Sequence, residues 1–325
     1  MNRADCRSIL SSGAGLILPL ALLSCLIASP ACAAEPVTMG SLVGWGQGYS
    51  GQVDVPTGND FIAVSAGLGH SVALKGDGSL AAWGDNSKGQ LNVPAGNDFV
   101  AISSGSYHNL ALKNDGSIVA WGDSFAGLNT APRGNDFTAI AAGGSHNLAL
   151  RSDGSVRGWG INTRGQVSVP PGKYLAIAAG SVFSIAIRAD DSLVAWGDNA
   201  VRQLDVPIGT FTSIAAGSRH GVAIRTDGSI ITWGISPATQ VPLPEGNDYV
   251  SIQGGAGYSL ALRSDGSLIA WGLNPIALSN VPLDGGYSAI AAGFGHSIAI
   301  RQIPESSSLL LGSLTAMGLL WHRRK

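Results

Sequence analysis

A Trp-Gly pair recurs seven times along this chain, at Trp45, Trp83, Trp121, Trp159, Trp196, Trp233 and Trp271, with intervals of 38, 38, 38, 37, 37 and 38 residues. Such a period means one supersecondary unit used over and over, each copy burying its apolar surface against the next. Two further elements keep the same register. One is a small-residue turn running into a short strand, as in AGLGHSVALK (Ala66–Lys75), with His70, His108, His146, His220 and His296 at one repeat position and Phe183 and Tyr258 replacing it in two copies. The other is Val-Pro or its equivalent, at Pro56, Pro94, Pro132, Pro170, Pro207, Pro242 and Pro282.

Each unit reads as short strands. FIAVSAG is one, HSVALK alternates with period two, and the KGDGS that follows carries the Asp-Gly of a tight hairpin into a third strand, SLAAWG. QLNVP is allowed for as a short fourth. No segment holds an apolar period of 3.6, so the fold class is all-β. In HSVALK, Val72 and Leu74 point one way and Ser71 and Ala73 the other, so the strand is covered on both sides. Charged residues are only 12% of the chain, against about 25% in ordinary soluble domains. Sheets packed face to face around a ring meet both conditions, which makes a β-propeller the expected architecture. In it, Trp-Gly is a packing device: the indole fills the space between neighbours and the glycine admits another backbone. Trp45 has no hairpin before it, and the last hairpin, ending at Arg301, has no Trp-Gly after it. The expectation is a seven-bladed propeller closed by exchange of N- and C-terminal strands, with three- to four-stranded blades.

The Gly-x-x-His turn, the Asp-Gly-Ser turn and the Trp-Gly strand together resemble the regulator of chromosome condensation repeat, over roughly Leu42 to Arg301. The short period is similar to that of compact bacterial members such as the propeller-type β-lactamase inhibitory protein. The resemblance implies a seven-bladed β-propeller. It does not bring the nuclear exchange-factor role with it, because the chain's ends and charge point elsewhere.

Arg3 and Arg7, the apolar stretch Ile9–Ala28 and the small residues Ala31, Cys32, Ala33 and Ala34 read as a secretory signal, residues 1–34. A retained membrane anchor is the other reading, and a lipid-modified Cys25 a minor one. Cys6, Cys25 and Cys32 all precede the cut, so the exported domain, residues 35–303, uses no disulfide. Residues 304–325 hold Pro304-Glu305, an apolar run from Leu309 to Trp321 and the basic end His322-Arg-Arg-Lys325. That tail resembles the PEP-CTERM sorting signal of exopolysaccharide-producing Gram-negative bacteria, which implies an exosortase-type processing enzyme as a partner; Ser306 stands where a second proline is usual. A simple tail anchor is the alternative. The expected location is the outer surface or extracellular matrix of a Gram-negative bacterium, with membrane contact only through the terminal segments.

No nucleophile elbow, phosphate loop or zinc signature is present, so no catalytic residue, metal site or cofactor is expected. One histidine per unit, exchangeable with an aromatic ring, reads as structure rather than as a converging ligand set, and Asp-Gly once per unit reads as a hairpin turn. A net charge of -2 gives no basic patch for nucleic acid. The Gly-x-x-His turn and the loop after Trp-Gly fall on one face, where the repeat varies most. Its departures are Tyr49, Tyr107, Phe125, Arg164, Phe183, Arg202, Arg219, Tyr258 and Phe294, residue types that anchor interfaces, although ordinary loop variation gives the same pattern. Three functions are carried forward. The first is a surface-sorted module binding a protein or glycan; the second a secreted enzyme inhibitor like the β-lactamase inhibitory protein; the third an enzyme acting on extracellular polysaccharide.

Overall fold

The computed structural model describes residues 39–234, 242–272 and 280–303. The expected signal and the tail, with Pro304 and Glu305, lie outside them.

Every regular sheet is built from the same antiparallel triplet. In the first complete copy, β2 (Phe61–Ala66) pairs with β3 (His70–Lys75), and β3 with β4 (Leu80–Gly84). The later triplets are β5 (Phe99–Ser104), β6 (His108–Lys113) and β7 (Ile118–Gly122); β8 (Phe137–Ala142), β9 (His146–Arg151) and β10 (Val156–Gly160); and β11 (Tyr174–Ala179), β12 (Phe183–Arg188) and β13 (Leu193–Gly197). After them come β14 (Phe211–Ala216), β15 (Gly221–Arg225) and β16 (Ile230–Trp233), then β17 (Tyr249–Gly254), β18 (Tyr258–Arg263) and β19 (Leu268–Gly272). The last hairpin, β20 (Tyr287–Ala292) and β21 (His296–Gln302), takes its third strand from the other end of the chain: β1 (Gly40–Gly46) pairs with β21 along its whole length, from Gly40 opposite Gln302 to Gly46 opposite His296. β1 touches β2 at a single pair, Gly40 and Phe61, which joins two triplets into one six-stranded sheet. The blades are three-stranded. QLNVP does not extend as a fourth strand; Gln90 and Leu91 turn, and Asn92–Pro94 carry no ladder.

The middle strand of each triplet is the core. His70, Ser71, Val72, Ala73 and Leu74 are all fully buried, as the two-sided pattern predicted. The tryptophans cross the seams. Trp83 packs with Ala73 of its own triplet and with Leu42, Ile298 and Ile300 of the triplet beside it; Trp121 packs with Val72 and Leu74 of the preceding one. Gly84, at φ +102°, lies where a Cβ would stand 2.6 Å from the Gly69 carbonyl oxygen, so the residue after Trp83 has no room for a side chain.

The Asp-Gly turns are closed internally. Asp77 Oδ1 accepts from Ser79 N at 2.9 Å and from Ser79 Oγ at 2.6 Å. Gly78 sits at φ +82°, and a Cβ there would lie 2.2 Å from Asn97 O in the next repeat. Gly78→Ala is therefore expected to cost ~2 kcal/mol or more, from the left-handed conformation and the clash together. Urea unfolding checks this; an unchanged midpoint would show that the turn does not press on its neighbour.

Candidate interaction face

His70 stands opposite Gly84 in the β3–β4 ladder, and Asp85 N donates to Gly69 O at 2.8 Å. The Gly-x-x-His turn and the loop after Trp-Gly thus share one end of the blade, here called the His-turn face. The Asp-Gly turns occupy the opposite end.

Beneath the His-turn face a buried belt of polar bonds ties most repeats to the next. His70 Nε2 lies 2.8 Å from Asn109 Oδ1, His108 Nε2 2.7 Å from Asn147 Oδ1, His146 Nε2 2.9 Å from Ser184 Oγ, and His220 Nε2 2.8 Å from Ser259 Oγ. His296 Nε2 lies 2.9 Å from Ser71 Oγ, joining the last repeat to the first. The tautomer follows from the partners. Asn109 Nδ2 donates to Gln90 O at 3.0 Å, and Ser184 Oγ donates to Gln166 O at 2.8 Å. Asn109 Oδ1 and Ser184 Oγ are therefore left to accept, and each facing Nε2 carries the proton. Burial holds all five imidazoles below the ordinary histidine range, His146 at about 3 and His220 and His296 at about 4. They are neutral bridges, in five of the repeats. Among the described residues, no three His, Cys, Asp or Glu side chains are grouped as a metal would need.

Two of the nine candidate contact residues belong to this belt and not to the surface. Tyr258 is fully buried; its hydroxyl donates to His296 O at 2.7 Å and lies 3.0 Å from Ser297 Oγ, so it bridges as the histidines do. Phe183 is also fully buried, in a cluster with Ala223 and Trp233 of the next repeat. There the residue after the histidine is Gly221, and the Trp233 ring lies 2.1 Å from where its Cβ would be. Donor and acceptor are lost together, and an apolar latch replaces the polar one.

The other seven candidates lie on the His-turn face. Tyr49 is 83% exposed, Phe125 65% and Phe294 52%. Tyr107 is half-buried, and Arg164, Arg202 and Arg219 are exposed. Arg164 pairs with Asp198 at 3.8 Å, a surface ion pair worth little in stability. Arg202 has φ +62°, at the loop position where Gly51, Gly89, Gly127 and Gly165 have φ from +76° to +83°. Holding an arginine there costs ~1–2 kcal/mol, strain of a kind that gathers at functional sites. A cavity of about 610 Å³ runs along the first strands of the triplets, with Phe294 in its wall, and that wall has no charged side chain among the described residues.

A glutamine seven residues after the tryptophan, unremarked in the sequence reading, shapes the loops of this face. Gln52, Gln90, Gln166 and Gln203 are buried, each accepting through Oε1 from a loop amide two residues earlier at 2.8–2.9 Å. Their backbone carbonyls take the indole N–H of Trp83, Trp121, Trp196 and Trp233. In the remaining described copy Leu128 stands in, and Trp159 donates to its carbonyl at 3.3 Å. The signal that could have found them is their fixed offset from Trp-Gly.

No curated protein matches the chain. The family model for the regulator of chromosome condensation (RCC1) repeat matches residues 61–90, 99–127, 137–166 and 211–237. Among solved structures, Prp20p from Saccharomyces cerevisiae, described with its binding to Gsp1p and histones, is 17% identical with a TM-score of 0.70, over 87% of this chain and 96% of that one. Human WBSCR16 is 17% identical with a TM-score of 0.68, over 82% and 100%. The ectodomain of the receptor kinase CR4 from Physcomitrella patens is 24% identical with a TM-score of 0.63, over 72% and 69%. At these identities the likeness speaks for the fold alone. Four of its units thus match the regulator of chromosome condensation repeat model, and its fold is that of the propellers built from such repeats.

Proposed function

We propose that the chain is a non-enzymatic interaction module, a closed propeller of seven blades whose His-turn face receives a protein or glycan partner. The observation that carries this is the division of the aromatic residues. Repeat positions bury theirs, while Tyr49, Phe125 and Phe294 stand in solvent on one face, beside Arg164, Arg202 and Arg219. The pairing of β1 with β21 and the His296–Ser71 bond support the closure, and a closed ring leaves no sheet edge open to aggregation. Prp20p, of like fold, binds Gsp1p and histones and has been seen bound by Kap60, so this architecture serves as a protein-binding platform elsewhere.

In the same reading, residues 1–34 export the domain, and the tail 304–325 holds it in the membrane until an exosortase-type enzyme processes it, which places the His-turn face outside a Gram-negative cell. Inhibition of an enzyme is the alternative within this class and uses the same face.

The test is capture from the producing organism's envelope and matrix by the chain from Glu35 onward, beside a variant with Tyr49, Tyr107, Phe125 and Phe294 changed to alanine. Phe183 and Tyr258 stay, since removing either opens the core. A partner held by the parent and lost by the variant is expected; equal capture by both would move the binding site off this face.

A further inference from the structure

The Asp-Gly face is not as uniform as its repeated turns suggest. Ile208 and Leu283 follow the Val-Pro of their repeats and are each 97% exposed; Leu243, at the same place, is also exposed, as are Met39 and Ile303 at the two ends of the described chain. These residues share a side of the molecule. Gly40 pairs with Gln302, so the chain enters at Met39 and leaves at Ile303 side by side. The Met39 side chain reaches the Gly76 turn of the neighbouring triplet. Asp284, next to Leu283, pairs with Arg301. The apolar tips therefore belong to the three successive junctions that lead from β13 round to β20, and end at the rim where both chain segments depart.

The tail limits how far that rim can stand from a membrane. The apolar run Leu309–Trp321 has 13 residues and starts six residues beyond Ile303. Even fully helical it spans only ~20 Å, against a hydrocarbon core of ~30 Å. A run that short draws its flanking residues down to the interface, and six residues reach at most ~20 Å when extended. Little slack is left between the rim and the headgroups. Acidic turns on the same face, Asp227 and Asp265 among them, stand beside the cations Arg225, Arg263 and Arg301, a rim of mixed charge that suits a zwitterionic surface better than an anionic one.

We propose that the tethered protein lies with its Asp-Gly face against the bilayer, Leu283 and Ile208 entering the headgroup region of a zwitterionic leaflet and the His-turn face turned outward. This rests on the reading that the tail is a membrane anchor.

The experiment uses the chain from Glu35 onward, whose sequence has no cysteine, with Leu283→Cys, Ile208→Cys or Phe125→Cys carrying an environment-sensitive nitrobenzoxadiazole label. All three sites are exposed, so folding should survive labelling. Each is reconstituted into phosphatidylcholine vesicles with and without doxyl-labelled lipid and floated on a gradient. The expected result is flotation of all three, with blue-shifted, doxyl-quenched emission at 283 and 208 and water-like emission at 125. Flotation with water-like emission at 283 and 208, or with quenching at 125, overturns the orientation and leaves the anchor standing. Protein that stays at the bottom of the gradient overturns the anchor reading and the orientation with it.

Discussion

Acidification is expected to unfold this protein between about pH 6 and pH 4, well above the range in which carboxylate protonation alone would act. Each belt histidine is buried and neutral, with its folded pKa depressed from 6.5, to about 4 in His220 and His296 and about 3 in His146. A depressed folded pKa means that the unfolded chain takes up protons first. The stabilisation is therefore complete above pH 6.5, falls as the pH drops below that, and is lost once the folded pKa is passed. At 1.36 kcal/mol per pKa unit, His220 and His296 alone withdraw on the order of 3 kcal/mol each by pH 4, against a total stability of ~5–15 kcal/mol for a typical domain. The exposed Asp-Gly-Ser carboxylates, lowered chiefly by their serine hydroxyls, add their loss only at still lower pH. Near- and far-ultraviolet circular dichroism against pH reads the transition. His220→Tyr supplies a control that the chain itself suggests, because Tyr258 performs the same bridging with a serine partner. It should shift the acid midpoint downward. A midpoint below pH 4 in the parent, or one that His220→Tyr leaves in place, would remove the histidines from the account.

The second large effect separates the two kinds of departure from the repeat. Phe183→Ala empties a fully buried site shared with Trp233 and Phe211 and is expected to cost ~3–5 kcal/mol. Phe294→Ala, at a half-exposed position on the His-turn face, is expected to stay within ~1 kcal/mol. Paired urea titrations decide. If Phe294→Ala proved as costly as Phe183→Ala, its ring would be holding the channel mouth shut rather than standing ready for a partner.

That contrast marks where reading the sequence stopped. The three strands of each unit, the Asp-Gly turn and the tryptophan seams were legible, because each is set by local chemistry repeated in register, whereas QLNVP gave no fourth strand. HSVALK became β3 residue for residue, and the pairing of the first strand with the last hairpin followed from which elements the two ends lacked. Phe183 and Tyr258 were not legible. A departure at one repeat position looks the same whether the side chain faces water or the next blade. What decides it lies about 38 residues on: Gly221 makes room for the Trp233 ring that shares a cluster with Phe183, and Ser297 gives Tyr258 an oxygen. Reading each histidine-position residue together with the one that follows the next histidine would have exposed both. On the Asp-Gly face the turns repeat so closely that the exposed apolar residues after the prolines, Ile208, Leu243 and Leu283, do not stand out in the sequence. The two shortened intervals have a structural account of the same kind. At the place where Asp60 pairs with Lys75 in the first triplet, Lys173 reaches Asp153 instead, and Thr210 meets Thr226.

The strand that β1 lends to β21 also sets an order of events during synthesis. Its partner lies about 250 positions downstream in the chain, and the Ser71–His296 bond spans 225. While the chain is still emerging, the triplets from β2 to β19 have all their strands in local sequence, but β1 has nothing to pair with until the final hairpin appears. The last triplet is thus assembled last, across the longest loop in the molecule, so its closure carries the greatest entropic cost. A nascent chain that lost its final hairpin would keep most of its blades and still present one unpaired edge, and it is there that proteolysis and misassembly would begin.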